Sequence, residues 1–131
     1  MFDVAGVFLS KAEECLAGAE SEFANGRYNN CANRCYYACF QAAITALIRA
    51  GIQPGGPQWS HTFVPAQFNG QLINRRKLYS SAMRDVLERT YTLRQAADYT
   101  RDQVTEVQAS RALRRVREFL AAIRRREDEI T

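Results

Sequence analysis

The sequence contains a single histidine, His61, and only two lysines, Lys11 and Lys77, among its 131 residues. One histidine excludes a two-histidine metal site within one chain. There is no apolar run of the roughly 18 residues that a membrane span needs and no glycine-rich phosphate loop, and because the first residues lack a basic segment followed by an apolar run we expect no signal peptide. We therefore expect one domain over residues 1–131, located in the cytoplasm, with no membrane span, metal or cofactor.

Arginine carries almost all of the positive charge. The chain has 18 Lys and Arg residues against 14 Asp and Glu, which gives a net charge of +4. Arginine forks suit phosphate and carboxylate groups, and their planes stack on nucleic-acid bases. A GC-rich genome, whose codons favour arginine, explains the same bias. The charge therefore permits nucleic-acid binding without requiring it.

Three of the four cysteines, Cys31, Cys35 and Cys39, follow one another at intervals of four residues, and the fourth is Cys15. On a helix these three thiols form one stripe, which cannot close a disulfide on itself or surround a tetrahedral metal alone. A metal cluster shared with Cys15 or with a second chain is the alternative. We favour buried, reduced thiols that pack as small hydrophobic groups, as in many cytosolic proteins.

Apolar residues recur at three- and four-residue steps along most of the chain, and no segment has the alternation of a strand. The pattern predicts an all-α fold, an up-down helical bundle of four long helices plus a short helix. The predicted helices are residues 3–25, residues 28–50, a short helix from His61, residues 75–97 and residues 106–126. The predicted breaks and N-caps are Asn25-Gly26, residues 54–57, Asn69-Gly70, Ser60 and Thr105.

The second predicted helix is apolar on nearly every side, yet it contains an arginine and other polar residues. A helix of this kind is normally buried at the centre of a bundle. A guanidinium group there is costly unless it is paired or reaches a polar cavity. The polar residues form one row on this helix, at steps of four, three and four: Asn30, Arg34, Tyr37 and Gln41.

The fourth predicted helix contains Arg94, followed by Asp98 and Tyr99. If it packs against the second helix, Arg34 and Arg94 flank one cleft that suits a phosphate or a stacked base. The alternative is a structural network, in which Arg94 pairs with Asp98 and Arg34 bonds to tyrosine or backbone oxygens. Spacing alone slightly favours the network.

The last predicted helix is crowded with arginines, and acidic residues are interspersed among them. Mixed charge of this kind is typical of a solvated helix face. The triplet Arg124-Arg125-Arg126 is the strongest candidate within this helix for contact with an acidic partner.

Three motifs occur in order along the chain. Residues 33–42 read Asn-Arg-x-Tyr-Tyr-Ala-x-Phe-x-Ala, residues 59–62 read Trp-Ser-His-Thr, and residues 94–99 contain Arg-x-x-Ala-Asp-Tyr. Together they resemble the signature of the small single-domain branch of the HEPN-domain family, over about residues 3–125. The loop motif departs from the pattern, since Phe63 stands where that branch has a glycine.

The resemblance implies a compact helical bundle that forms a homodimer. Many HEPN proteins are toxin-like or defence-linked ribonucleases with an Arg-x4–6-His motif across the dimer. Others are encoded beside a minimal nucleotidyltransferase as a toxin–antitoxin pair, and some bind nucleotides. In this chain Asp98 occupies the histidine position, and Gln41 stands where close relatives often carry histidine. An ionised aspartate is a poor proton donor near neutral pH, whereas histidine exchanges protons there readily.

These observations lead to three functional hypotheses. The first is a HEPN component of a two-component system with a nucleotidyltransferase, which binds RNA or nucleotide in a dimer cleft. Its expected binding residues are Arg34, Tyr37, Gln41, Arg94 and Tyr99. The second is a metal-independent ribonuclease with Arg94, Asp98 and His61 as catalytic residues. The third is a non-catalytic nucleotide-binding or dimerisation module.

Overall fold

The computed structural model describes residues 3–130, which are helical over most of their length and contain no strand. The segments are α1 (Val4–Ala24), α2 (Tyr28–Arg49), α3 (Phe63–Gln67), a π-helix (Phe68–Arg75), a 3₁₀-helix (Ser81–Met83), α4 (Val86–Tyr99) and α5 (Glu106–Ile130). The all-α prediction is confirmed. Within residues 3–130, no helix combines the length and the apolar character that crossing a membrane requires.

Helix α2 is the centre of the bundle and packs against α1, α4 and α5. It is buried on most sides, as predicted from its apolar surface. Helix α1 ends at Ala24, and Gly26 has a φ of 73°, the left-handed conformation that glycine adopts without strain. The predicted break at Asn25-Gly26 is therefore confirmed, and it brings α1 back against α2.

Two predicted boundaries are wrong. Asn69-Gly70 does not end the third helix, because α3 continues directly into the π-helix, whose side chains Phe68, Leu72 and Ile73 are buried. The fourth helix does not begin near residue 75. Lys77 has a φ of 54°, which interrupts the helix, and α4 begins only at Val86. Burial in the core overrides the local helix-breaking signal in the first case.

The predicted caps of the short and last helices are present. The Ser60 hydroxyl accepts a hydrogen bond from the Phe63 backbone N–H at 3.0 Å. Thr105 accepts from the Gln108 backbone N–H at 3.1 Å, while the Gln108 side chain accepts from the Thr105 backbone N–H at 3.0 Å. This reciprocal pair is a capping box. These two hydrogen bonds fix the start of α5 through residues that are only three positions apart in the chain.

The cysteine stripe lies in the core, as favoured above. Cys31, Cys35 and Cys39 are fully buried, and all four cysteines are free thiols. Burial raises the pKa of the Cys39 thiol, because a thiolate is unfavourable away from water. These side chains therefore act as small hydrophobic groups between α2 and its neighbours.

A network centred on Arg49 ties the ends of three helices together. Arg49 Nε donates to Glu127 Oε1 of α5 at 2.8 Å, and its Nη2 donates to both carboxylate oxygens of Asp3, each at 3.0 Å. Glu127 is only 5% exposed, so the bond to it is partly shielded from water. We expect Arg49→Met to lower the free energy of unfolding by about 1.5 kcal/mol, measured by urea denaturation.

Arg124→Met is the matched control for Arg49→Met. Arg124 pairs with Glu13, and both side chains are about half exposed, so its loss should cost less than about 1 kcal/mol. Equal losses in the two variants would contradict a special role of Arg49.

The pKa of Asp3 is lowered by the Gly6 backbone N–H and also by Arg49. The contribution of ionised Asp3 to the stability of the fold is therefore complete at pH values above the ordinary aspartate pKa. It is lost as the pH falls through the lowered pKa of Asp3 in the folded protein.

Candidate functional site

Two arginines from different helices approach the same tyrosine ring. Arg34 Cζ of α2 lies 5.3 Å from the ring centre of Tyr37, and Arg94 Cζ of α4 lies 5.2 Å from it. Arg94 also lies 5.4 Å from the ring centre of Tyr36. These are cation–π distances. Packing of α4 against α2 thus places both arginines that the sequence suggested against one tyrosine ring.

A polar chain links the same elements. Asn33 Oδ1 accepts a hydrogen bond from Arg34 Nη2 at 2.7 Å, while Asn33 Nδ2 donates to Asp98 Oδ2 at 2.9 Å. Arg94 Nε lies 3.5 Å from the same Asp98 oxygen. The structure therefore contains parts of both arrangements that the sequence left open. Both arginines lie against Tyr37 and Asp98 forms an ion pair with Arg94, whereas Arg34 bonds to the Asn33 side chain and not to a tyrosine or backbone oxygen.

The Arg94–Asp98 pair is a charge contact without a directed hydrogen bond. The Arg94 side chain is only 12% exposed, and its Nε is buried with no hydrogen-bond partner within residues 3–130. One turn beyond Tyr37 on α2, Gln41 Oε1 is also buried and without such a partner in the same part of the chain. A buried donor and a buried acceptor that are both unsatisfied are unusual in a folded protein and call for an explanation.

His61 lies at the edge of this cluster. Its ring is packed against Tyr36 of α2 and Tyr91 of α4, each with ring centres 5.4 Å apart, and against Phe40 at 5.3 Å. Its Nδ1 is hydrogen bonded to the Tyr36 hydroxyl. The loop before α3 therefore carries His61 onto α2 and α4, close to Arg94.

The protonation states of this pair follow from their surroundings. Burial raises the pKa of Tyr36, so the phenol keeps its proton at neutral pH. Burial and the charge of Arg94 lower the pKa of His61, so the imidazole is neutral at pH 7. A neutral imidazole carries one proton, so one of its ring nitrogens donates and the other accepts. The Tyr36 hydroxyl engages Nδ1, and Nε2 takes the opposite role.

An open cavity of about 320 Å³ adjoins Arg34, and its lining residues are Gly18, Glu22, Asn30, Asn33 and Arg34. A Cβ atom at Gly18 would stand 3.6 Å from Arg34 Cδ, so α1 passes close to the arginine stem at this point. The cavity gives a small polar ligand access to the Arg34 side of the cluster.

The candidate residues from the sequence fall into two groups. Arg34, Tyr37, Arg94 and Asp98 lie together, with His61 beside them. Gln41 is one turn away on α2, and no recorded contact joins it to either arginine. Tyr99 is 70% exposed at the end of α4 and, within residues 3–130, has no ring contact with the cluster.

Sequence reasoning assigned no role to Asn33, Tyr36 or Tyr91. Asn33 bridges the two halves of the site, and the tyrosines form the aromatic contact with His61. A signal for Tyr91 existed, because it precedes Arg94 by three residues and Asp98 by seven and so shares their helix face.

A profile of the HEPN domain matches residues 5–126, nearly the whole chain. The chain therefore belongs to the HEPN-domain family, and the resemblance seen in its three motifs is confirmed. No curated protein matches the sequence.

Proposed function

We propose that this HEPN protein is the toxin-like component of a two-component system with a minimal nucleotidyltransferase, and that it binds RNA or nucleotide phosphate in a dimer cleft. One observation carries the proposal: Arg34 and Arg94 lie 5.3 and 5.2 Å from the ring centre of one tyrosine, Tyr37. Asp98 lies 3.5 Å from Arg94 Nε and balances only one of the two positive charges. A phosphate that reaches both guanidinium groups would balance the other and use their hydrogen-bonding forks.

Two unsatisfied buried atoms fit a nucleotide ligand. Arg94 Nε is a buried donor that a phosphate oxygen would satisfy, and Gln41 Oε1, one turn away from the cluster on α2, is a buried acceptor that a base amino group would satisfy. His61 Nε2 can form a further hydrogen bond with the ligand, and Tyr37 holds both arginines against its ring. Each residue then has a role in binding that needs no proton transfer.

The protein partners are part of the proposal. The HEPN family implies a homodimer, and the two-component arrangement implies a nucleotidyltransferase as the second protein. We place both in the cytoplasm, where the buried thiols of α2 stay reduced. Co-expression with a nucleotidyltransferase encoded beside the gene should give a stable complex. A genome without such a neighbour would overturn this part of the proposal.

Calorimetric titration of the purified protein tests the binding site. We expect heat of binding with ATP or with a short single-stranded oligouridylate, and a rise in melting temperature at saturating ligand, because a ligand of the native state stabilises it. Absence of both effects would contradict the proposal. Nucleotide binding by the purified protein, together with failure to form a complex with a nucleotidyltransferase on co-expression, would instead identify the non-catalytic nucleotide-binding and dimerisation module.

The position of His61 favours a second candidate function, a metal-independent ribonuclease. His61 lies near enough to Arg94 for the arginine charge to lower its pKa. The histidine position of the catalytic motif is occupied by Asp98, however, and an ionised aspartate is a poor proton donor near neutral pH. We therefore expect no RNA cleavage in the presence of a chelator. Cleavage by the wild type that His61→Ala abolishes, with folding retained, would favour the ribonuclease over the binding protein.

A further inference from the structure

A groove between α4 and α5 is lined by arginines that lie outside the Arg34–Arg94 site. Helix α4 packs mainly against α2 and only slightly against α5, which leaves the groove open. Two adjoining cavities of about 650 and 630 Å³ occupy it. The guanidinium groups that line these cavities are Arg89, Arg111, Arg114, Arg115 and Arg125. None of them belongs to the Tyr37 cluster.

The arginines of α5 lie on two different faces of the helix. On the side toward α1, Arg117 pairs with Glu20 at 3.2 Å and Arg124 pairs with Glu13. In contrast, within residues 3–130 none of the five groove arginines lies within 4.0 Å of a carboxylate oxygen. The paired arginines thus face α1, whereas four other arginines of α5, Arg111, Arg114, Arg115 and Arg125, face the groove.

The groove also contains acidic side chains, Asp85, Glu88 and Glu118. They are fewer than the arginines and do not pair with them, so an excess of positive charge remains. The centre of that charge is Arg115, whose pKa is lowered by burial and by the neighbouring charges of Arg89, Arg114 and Arg111. Crowded, partly desolvated cations of this kind are stabilised by a bound polyanion.

We propose that the α4–α5 groove binds the phosphodiester backbone of a nucleic acid. The arginines extend from Arg111 to Arg125, about 21 Å along α5 at 1.5 Å per residue. That length covers several consecutive phosphates, and the guanidinium fork matches phosphate geometry. The groove exposes no aromatic ring for stacking, so recognition there is independent of base sequence.

An acidic protein segment fits the groove less well. A protein partner gains most of its affinity by placing large side chains in apolar pockets. In this groove Met83, Val86 and Phe119 are buried at 8%, 6% and 1% exposure, and the remaining large apolar side chain, Leu93, is partly buried. What faces the solvent is mainly charged, which is typical of surfaces that bind nucleic-acid backbones. The proposal does not depend on the Arg34–Arg94 site, because the two share no lining residue.

The test is fluorescence anisotropy with labelled oligouridylate and oligothymidylate of equal length, over a salt series. We expect Arg111→Gln/Arg114→Gln to bind both at least about tenfold more weakly, and the slope of log affinity against log salt to fall by about 0.7 for each lost phosphate contact. Arg117→Gln/Arg124→Gln is the matched control, with the same charge change on the other face of α5. It should bind like the wild type, and circular dichroism checks the folding of both variants.

Three outcomes would overturn the proposal. Equal weakening in the two double variants would mean that only net charge matters, and unchanged binding by the groove variant would place the contact elsewhere. Binding of polyglutamate, without binding of either oligonucleotide, would identify an acidic protein as the ligand. ATP binding is measured separately, so failure of the groove and failure of the Arg34–Arg94 site give different results.

Discussion

Arg94→Ala should weaken ATP binding by roughly ten- to a hundredfold, the loss expected for one charge-assisted contact of about 1.5–3 kcal/mol. Arg94 is largely enclosed, with its side chain 12% exposed and its Nε without a hydrogen-bond partner within residues 3–130. A ligand phosphate at this point would be partly removed from water, where a charge contact is stronger. Calorimetry on the variant measures the loss directly.

Two further variants test whether ATP affinity depends on the planar guanidinium fork of Arg94 or only on positive charge. Arg94→Lys keeps the charge but removes the planar fork, so we expect intermediate affinity. Arg75→Ala removes one positive charge from an exposed position at the end of the π-helix, and its affinity should equal that of the wild type. If Arg94→Ala binds ATP as tightly as Arg75→Ala, the nucleotide site is not at the Tyr37 cluster.

Tyr36→Ala should destabilise the fold by about 3–5 kcal/mol, as expected when a large buried aromatic ring is removed. Tyr36 is 1% exposed, and its ring packs against Tyr37, Phe40, Tyr91 and His61 with centres 5.3 to 5.6 Å apart. The same ring lies under the Arg94 guanidinium. The variant therefore loses stability and the support of the site together, measured by urea denaturation.

Tyr36→Phe separates these two effects. It keeps the ring contacts and removes only the hydroxyl that bonds to His61 Nδ1, so the stability loss should be about 1 kcal/mol. If Tyr36→Phe costs as much as Tyr36→Ala, the hydroxyl bond and not the ring packing stabilises the cluster. If neither variant is destabilised, Tyr36 does not hold α2, α4 and the His61 loop together.

The parts of the fold that the sequence predicted well depend on local chemistry. Asn25-Gly26 ends α1 because glycine at a φ of 73° is unstrained, and Thr105 begins α5 through a cap with Gln108, three residues away. The burial of α2 follows from its mainly apolar surface, since a helix whose polar residues form only one narrow row has to be covered on its other sides. Each of these signals is complete within a few residues.

The segment from Phe68 to Val86 could not be predicted in this way. Its backbone conformation depends on packing contacts between residues that are far apart in the chain. The Phe68 ring lies 5.1 Å from Phe119 of α5 and 5.4 Å from Tyr79. These contacts hold the chain helical through Asn69-Gly70 and place a break at Lys77, where the local pattern indicates a helix. Tertiary contacts outweighed propensity in both places.

The sequence by itself determined the helical class, the central place of α2, most of the caps and, through three motifs, the HEPN family. Only the tertiary structure decided which side chains meet. It brought Arg94 over Tyr37, carried His61 to Tyr36, and separated the paired arginines of α5 from those facing α4. The physical reason is that spacing fixes the face of a helix that a residue occupies, whereas the packing of helices far apart in the chain fixes what that face touches.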